Sequence, residues 1–201
     1  MSSALDRTGR SYYNVFIPYS KGKRPMEKKI ILKLRSRRVE VSSDRFRYDI
    51  FTGSYMPGRI SGDMEVKPEV IEFMTEGLLR IEGGRCELSY DESELSGLEG
   101  SKTLLVFDES LPDTLTMIRS GAIKVTMVFC PGLRHVCRYD NPLIPFELTL
   151  MTHSLKNSLL VDGRLEIDYT TELAGGGRAR TRLTAVIHDA NPAEDTDNII
   201  V

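Results

Sequence analysis

Hydrophobic and polar residues alternate along much of the chain. In "KIILKLRS", Ile30, Leu32 and Leu34 share one face and Lys33, Arg35 and Arg37 the other, the period-two pattern of a half-buried strand with a basic outer face. "PEVIEFMTEGLLRIEGGRCELSYDE" reads as a long strand, a Gly83-Gly84 turn and a return strand, because glycine reaches positive φ at little cost. Gly77 inside the long strand predicts a bulge or a bend. The pattern then repeats in "SKTLLVF", "TLTMIRS", "AIKVTMVFC", "RHVCRY", "PFELTLMTHSL", "GRLEIDYTTEL" and "RARTRLTAVI", separated by "DESLPD", "SGA", "PGL", "DNP", "VDG" and "AGGG". No segment holds a helical period beyond about a turn. Short strands with tight links predict an all-β sandwich or barrel, and hairpin-length connections favour an antiparallel up-and-down barrel of about 8–10 strands, which also removes exposed edges.

The rest of the chain sets the domain limits. Residues 1–27 show no period and read as an N-terminal arm carrying Tyr12, Tyr13, Phe16 and Tyr19; residues 28–188 hold the barrel; residues 38–66 read as an insertion, a small hairpin or an ordered loop; residues 189–201 form an acidic tail. At 201 residues, with 40% hydrophobic and 28% charged side chains, the composition is that of an ordinary globular domain. No apolar run is long enough for a membrane helix, the N-terminus has no signal-peptide pattern, and three scattered cysteines (Cys86, Cys130, Cys137) fit a reducing compartment, so a cytoplasmic protein is expected.

Charge adds one asymmetry. The net charge is −2, yet residues 21–47 carry 11 basic residues against three acidic ones. Lys33, Arg35, Arg37, Arg45 and Arg47, beside Phe46, Tyr48 and Phe51, could meet RNA, a ribosomal surface or an acidic protein; the same pattern also describes a solvated strand face.

The acidic cluster Asp91, Glu92 and Glu94 fails as a calcium loop, since the sixth and twelfth positions from Asp91 are Ser96 and Lys102 rather than glycine and glutamate. It reads as a strand end and connector. Alternation carries Cys86, Leu88, Tyr90 and Glu92 onto one face, and Leu115, Met117 and Arg119 onto one face of a later strand. Glu92 and Arg119 then become partners inside the barrel, because an interior charge is costly unless paired; the alternative is an Arg119 that reaches solvent at the rim. His135, Cys137 and Tyr139 also alternate and offer a polar lining. No further ligands complete a metal site, and no metal or cofactor is expected. His153 and His188 read as surface residues, and "AGGGRAR" as a hairpin link rather than a phosphate loop.

"VIEFMTEGLLRIEGGRCELSYDESELSGLEGSKTLLVF", then "MIRSGAIKVTMVF", Tyr139, "IPFELTL" and "RLEIDYTTEL", resembles the YwiB-like bacterial domain of unknown function over about residues 28–188. The resemblance implies a calycin-type barrel, akin in shape to lipocalins, with no activity to carry over. Two features depart from the family pattern: the insertion at 38–66, and Glu147 after Phe146 where members tend to have glycine. The expectation for function is non-enzymatic binding of a small, hydrophobic or amphipathic ligand inside the barrel, with Arg119, Glu92, Tyr90, Tyr139, His135, Phe73 and Met117 as candidate lining. The alternative is the basic interaction module, and nothing supplies a nucleophile with its base.

Overall fold

The structure, a computed structural model, describes residues 25–41, 67–140, 145–173 and 177–190, together with the backbone of four short strand segments in the N-terminal arm and the insertion. Ten strands make one antiparallel sheet. They are β1 (Met26–Glu40), β2 (Glu69–Glu82), β3 (Arg85–Asp91), β4 (Ser101–Asp108), β5 (Leu115–Gly121), β6 (Val125–Phe129), β7 (Arg134–Tyr139), β8 (Phe146–Ser158), β9 (Arg164–Leu173) and β10 (Arg178–Asp189). Strands adjacent in sequence pair with one another except β6 and β7, and β1 pairs with β10, so the sheet runs from β6 through β1 and β10 to β7. The two ends meet at one bridge, where the Lys124 and Asp140 backbones exchange N–H···O bonds of 2.9 Å each. The result is a nearly closed ten-strand meander barrel, consistent with a calycin-like fold.

Alternation explains most of this. In β4 the inward residues Ser101, Thr103, Leu105 and Phe107 are buried while their neighbours are not. The Gly83-Gly84 turn has φ of 59° and 88°, the conformation a two-residue hairpin needs. The strand limits differ from the sequence reading at the first strand: β1 continues to Glu40, three residues into the stretch assigned to the insertion, because β10 pairs with it as far as Ala179↔Glu40. Within that stretch Phe46–Asp49 pairs with Ser54–Pro57, and in the N-terminal arm Ala4–Leu5 pairs with Ser11–Tyr12.

Gly77 marks neither a bulge nor a register change, since β2 pairs with β1 without interruption across it. It marks a close approach: a Cβ there would lie 3.2 Å from the Ser89 carbonyl oxygen. It is also where β3 leaves β2, the last pair being Gly77↔Tyr90, so residues 69–76 pair with β1 alone. Stagger between neighbouring strands is the ordinary consequence of barrel closure. The bulge falls instead in β8, where the register shifts between Thr152 and Ser154 and brings Leu155 back to the inner face.

One end of the barrel is filled. Leu32, Leu79, Leu88, Leu105, Met117, Phe129, Leu150, Leu165 and Ile167 are fully buried, and the helical turn Leu159–Asp162 between β8 and β9 closes that end with Leu159. Among the described residues no helix is long and apolar enough to cross a membrane.

The opposite end requires glycine at one point. Gly121 has φ 112°, and a Cβ there would lie 2.3 Å from the Gly100 carbonyl oxygen, whereas Gly132 has φ 79° with nothing within 4 Å. Gly132→Ala is expected to cost about 1 kcal/mol, the penalty of an L side chain at left-handed φ. Gly121→Ala adds a backbone clash and is expected to cost about 3 kcal/mol in urea denaturation. Equal losses would show that β4 and β5 do not approach as described.

Candidate functional site

A cavity of about 380 Å³ lies at the end of the barrel opposite the helical turn. It owes its shape to the rows of the sheet. Tyr90 on β3 lies opposite Thr103 on β4, and Thr103 lies opposite Arg119 on β5. All three point inward, so a tyrosine, a threonine and an arginine stand side by side above the apolar core. Glu92 joins them because the alternation of β3 continues one residue past its end: the Glu92 N–H donates to the Ser101 carbonyl at 2.9 Å, which holds its side chain on the inner face.

The Glu92 carboxylate gathers three groups. Thr103 Oγ1 donates to Oε1 at 2.5 Å, Arg119 Nε donates to Oε1 at 3.2 Å, and Ser96 Oγ lies within donating distance of Oε2 at 3.1 Å. Arg119 Nε also approaches Thr103 Oγ1 at 3.2 Å. Ser96 arrives on the turn Glu94–Ser96, which Ser93 caps through its side chain and Gly97 ends in a left-handed conformation. The stretch "DESELSG" is thus a connector, as its composition predicts, and it folds over the carboxylate.

The two charges differ in exposure: the Glu92 side chain is 2% exposed and that of Arg119 is 17% exposed. Arg119 spends only its Nε on the protein, and neither Nη group has an acceptor among the described residues. Burial works against the Arg119 charge, but Glu92 outweighs burial and holds the guanidinium above its ordinary pKa. Burial raises the pKa of Tyr90, Tyr139 and Tyr169, so they remain neutral hydroxyl groups. Tyr139 stacks on Phe146 with ring centres 4.8 Å apart.

Five residues singled out from sequence meet here: Arg119, Glu92, Tyr90, Tyr139 and Phe73 all line the cavity. Met117 does not. It lies one inward position before Arg119 on β5 and is fully buried in the core. His135 does not reach the cavity either. Only the Lys124–Asp140 bridge joins β6 to β7, and the His135 ring lies at this seam, Nε2 3.4 Å from the Thr126 carbonyl oxygen. Lys33, Arg35 and Arg37 face outward, Lys33 and Arg35 sharing Glu72 at 2.7 and 3.7 Å. Arg45 lies outside the described residues, as does the side chain of Arg47. His153 is exposed, while His188, on the outer face near Lys33, is half-buried and held below its ordinary pKa by burial and by Lys33. Among the described residues no group of three or more His, Cys, Asp or Glu could hold a metal ion.

Sequence reasoning passed over Arg38, Glu69, Tyr169 and Thr181, which also line the cavity. The signal was present for two of them: the inward series Leu32, Leu34 continues through Ser36 to Arg38, and Leu165, Ile167 continues to Tyr169.

The profile of the family described as Domain of unknown function (DUF1934) matches residues 56–184. The chain belongs to the DUF1934 family. The matched span holds Glu92, Thr103, Arg119 and all three cavity tyrosines, while Arg38 lies before it. This DUF1934 chain is 31% identical over 102 residues to the uncharacterized beta-barrel protein YwiB of Bacillus subtilis (strain 168), across 50% of this chain and 68% of YwiB. The crystal structure of the ywiB protein from Bacillus subtilis superposes with a TM-score of 0.53 at 22% identity, covering 80% of this chain and 92% of that one. That likeness shows a shared barrel fold, and the YwiB-like resemblance read from the sequence is thereby shown.

Two measurements test this geometry. Arg119→Ala strands the buried Glu92 carboxylate and is expected to cost about 3 kcal/mol, whereas Arg119→Met with Glu92→Gln leaves no lone charge and costs less. A loss within about 0.5 kcal/mol for Arg119→Ala alone would show that the pair does not form. The three cysteines are free. Burial, with a smaller effect from Glu87, pushes the Cys86 thiol up to about 12, and burial also raises Cys137. In the folded protein a disulfide reagent at neutral pH is expected to label the part-exposed Cys130 first and to reach Cys86 only on unfolding. Early labelling of Cys86 would contradict the packing of the filled end.

Proposed function

We propose that the barrel binds a small, partly apolar molecule in the cavity over Arg119, without catalysis. The observation that carries this reading is a charged guanidinium that lines a cavity of about 380 Å³ with both Nη groups uncommitted to acceptors among the described residues. The wall supports it: Phe73, Phe146, Leu34 and Leu148 alternate around the opening with the tyrosines and threonines, a mainly apolar surface with a few polar anchors. The volume suits a small ligand. Binding is favoured over catalysis because Glu92, the one carboxylate deep in the site, is held by Thr103 and Arg119, and no His, Cys or Lys lines the cavity among the described residues.

On this reading the barrel is the functional unit, with residues 1–25, 41–66 and 190–201 as appendages to it. A cytoplasmic setting suits its three free thiols. The basic face carries less weight as a binding surface, since Glu72 already neutralises part of it through Lys33 and Arg35. Native mass spectrometry of gently purified protein, paired with thermal-shift screening against lipids and metabolites, tests the proposal. A retained small molecule that Arg119→Met releases is the expected result. A clean unliganded mass together with no shift across the panel would remove the proposal.

A further inference from the structure

We infer that the ligand is uncharged and presents a hydrogen-bond-accepting carbonyl group to Arg119; this rests on the ligand-binding reading above and narrows it to a chemical class. The inference comes from charge accounting around the cavity. Among the described residues the charged side chains that line it are Arg38, Arg119, Glu69 and Glu92, two of each sign. Arg119 is matched by Glu92 at 3.2 Å. Arg38, at the rim, lies opposite Glu69 in the pairing of β1 with β2. The charges that line the cavity among the described residues therefore sum to zero, with no net positive charge to favour an anionic ligand.

Geometry sharpens the point. A guanidinium offers five N–H donors in a planar fork and accepts nothing. Arg119 turns its Nε toward Glu92 and Thr103, and its Nη groups remain for the cavity. A ligand carboxylate on those Nη groups would be the second anion on one cation, with the Glu92 carboxylate on the same guanidinium. Like charges sharing a poorly solvated site disfavour ionisation of both. A cationic ligand would face Arg119 itself, because Glu92 is shielded behind it with 2% of its side chain exposed. A neutral carbonyl, such as an amide, accepts from Nη without adding charge, and leaves its apolar body to the phenylalanine and leucine wall. An unpaired N–H donor in such a site is what a ligand lacking an acceptor would leave behind, so an acceptor is required, and a carbonyl supplies it without adding charge.

The test uses octanamide and octanoate as matched probes, titrated calorimetrically into the full chain. Wild type is expected to bind octanamide at least about tenfold more tightly than octanoate. Glu92→Gln keeps the shape of the side chain and an acceptor for Thr103 and Arg119 while leaving the Arg119 charge unmatched, and is expected to reverse the order. Arg119→Met is the second variant, and is expected to lose affinity for octanamide while keeping its fold by circular dichroism. Tighter octanoate binding by wild type overturns the inference and leaves the ligand-binding reading standing. Failure of folded wild type to bind either probe removes the inference and counts against the binding reading itself, which the mass-spectrometric screen then decides separately.

Discussion

The Glu92–Arg119 pair is the constraint on which the upper barrel depends. A carboxylate with 2% of its side chain exposed is tolerable only where several donors converge on it. Supplying them fixes a series of local choices. Thr103 occupies an inward position on β4 that would otherwise take an aliphatic residue. The β3 alternation continues past Asp91. The chain then turns through Glu94–Ser96 so that the Ser96 hydroxyl can reach Oε2. The glycines at 97, 100 and 121 lie at positive φ in the same connections and let that loop and the start of β4 pack closely against the end of β5.

The pair also separates two halves with different physical character. Towards the helical turn, leucines, isoleucines and Phe129 fill the interior, with the Thr152 hydroxyl buried among them. At the other end aromatic rings and hydroxyls border open space. Ion pairs of this kind seldom add net stability, since apolar residues of similar volume do as well or better. A barrel that needed only stability would have continued the leucine packing up through positions 92, 103 and 119. Retaining charges there, with one face of the arginine turned to the cavity, is the feature on which the proposed binding role rests.

The sequence carried local information well and ring-closing information poorly. Alternation and turn residues disclosed all ten barrel strands, since each depends on neighbours a few residues away, and the same alternation brought Glu92 to Arg119 across three strands. Which inward residues sit at the cavity and which in the core depends on the stagger of strands around the ring, and no single segment records it. Met117 and Arg119 are two residues apart, yet one is fully buried in the core and the other lines the opening. His135 keeps the expected face but falls at the β6–β7 seam. Arg38 and Tyr169 were legible by alternation had the series been followed to the strand ends. Gly77 shows the limit of residue-type reasoning: its glycine is favoured by the close approach to Ser89 where β3 departs, and bulges, bends and close contacts all favour the same residue.

The most direct test of the account is the exchange of the Arg119 guanidinium protons with water, followed by nitrogen-15 NMR of the unliganded protein. The Nε proton, bonded to Glu92 and Thr103, is predicted to exchange far more slowly than that of a free arginine, while the Nη protons exchange rapidly through the cavity. Fast exchange of all of them would show that the pair is not formed. Uniform protection would show that the space above Arg119 is filled by the protein itself. Either result would contradict a barrel whose open end is organised around a half-committed arginine.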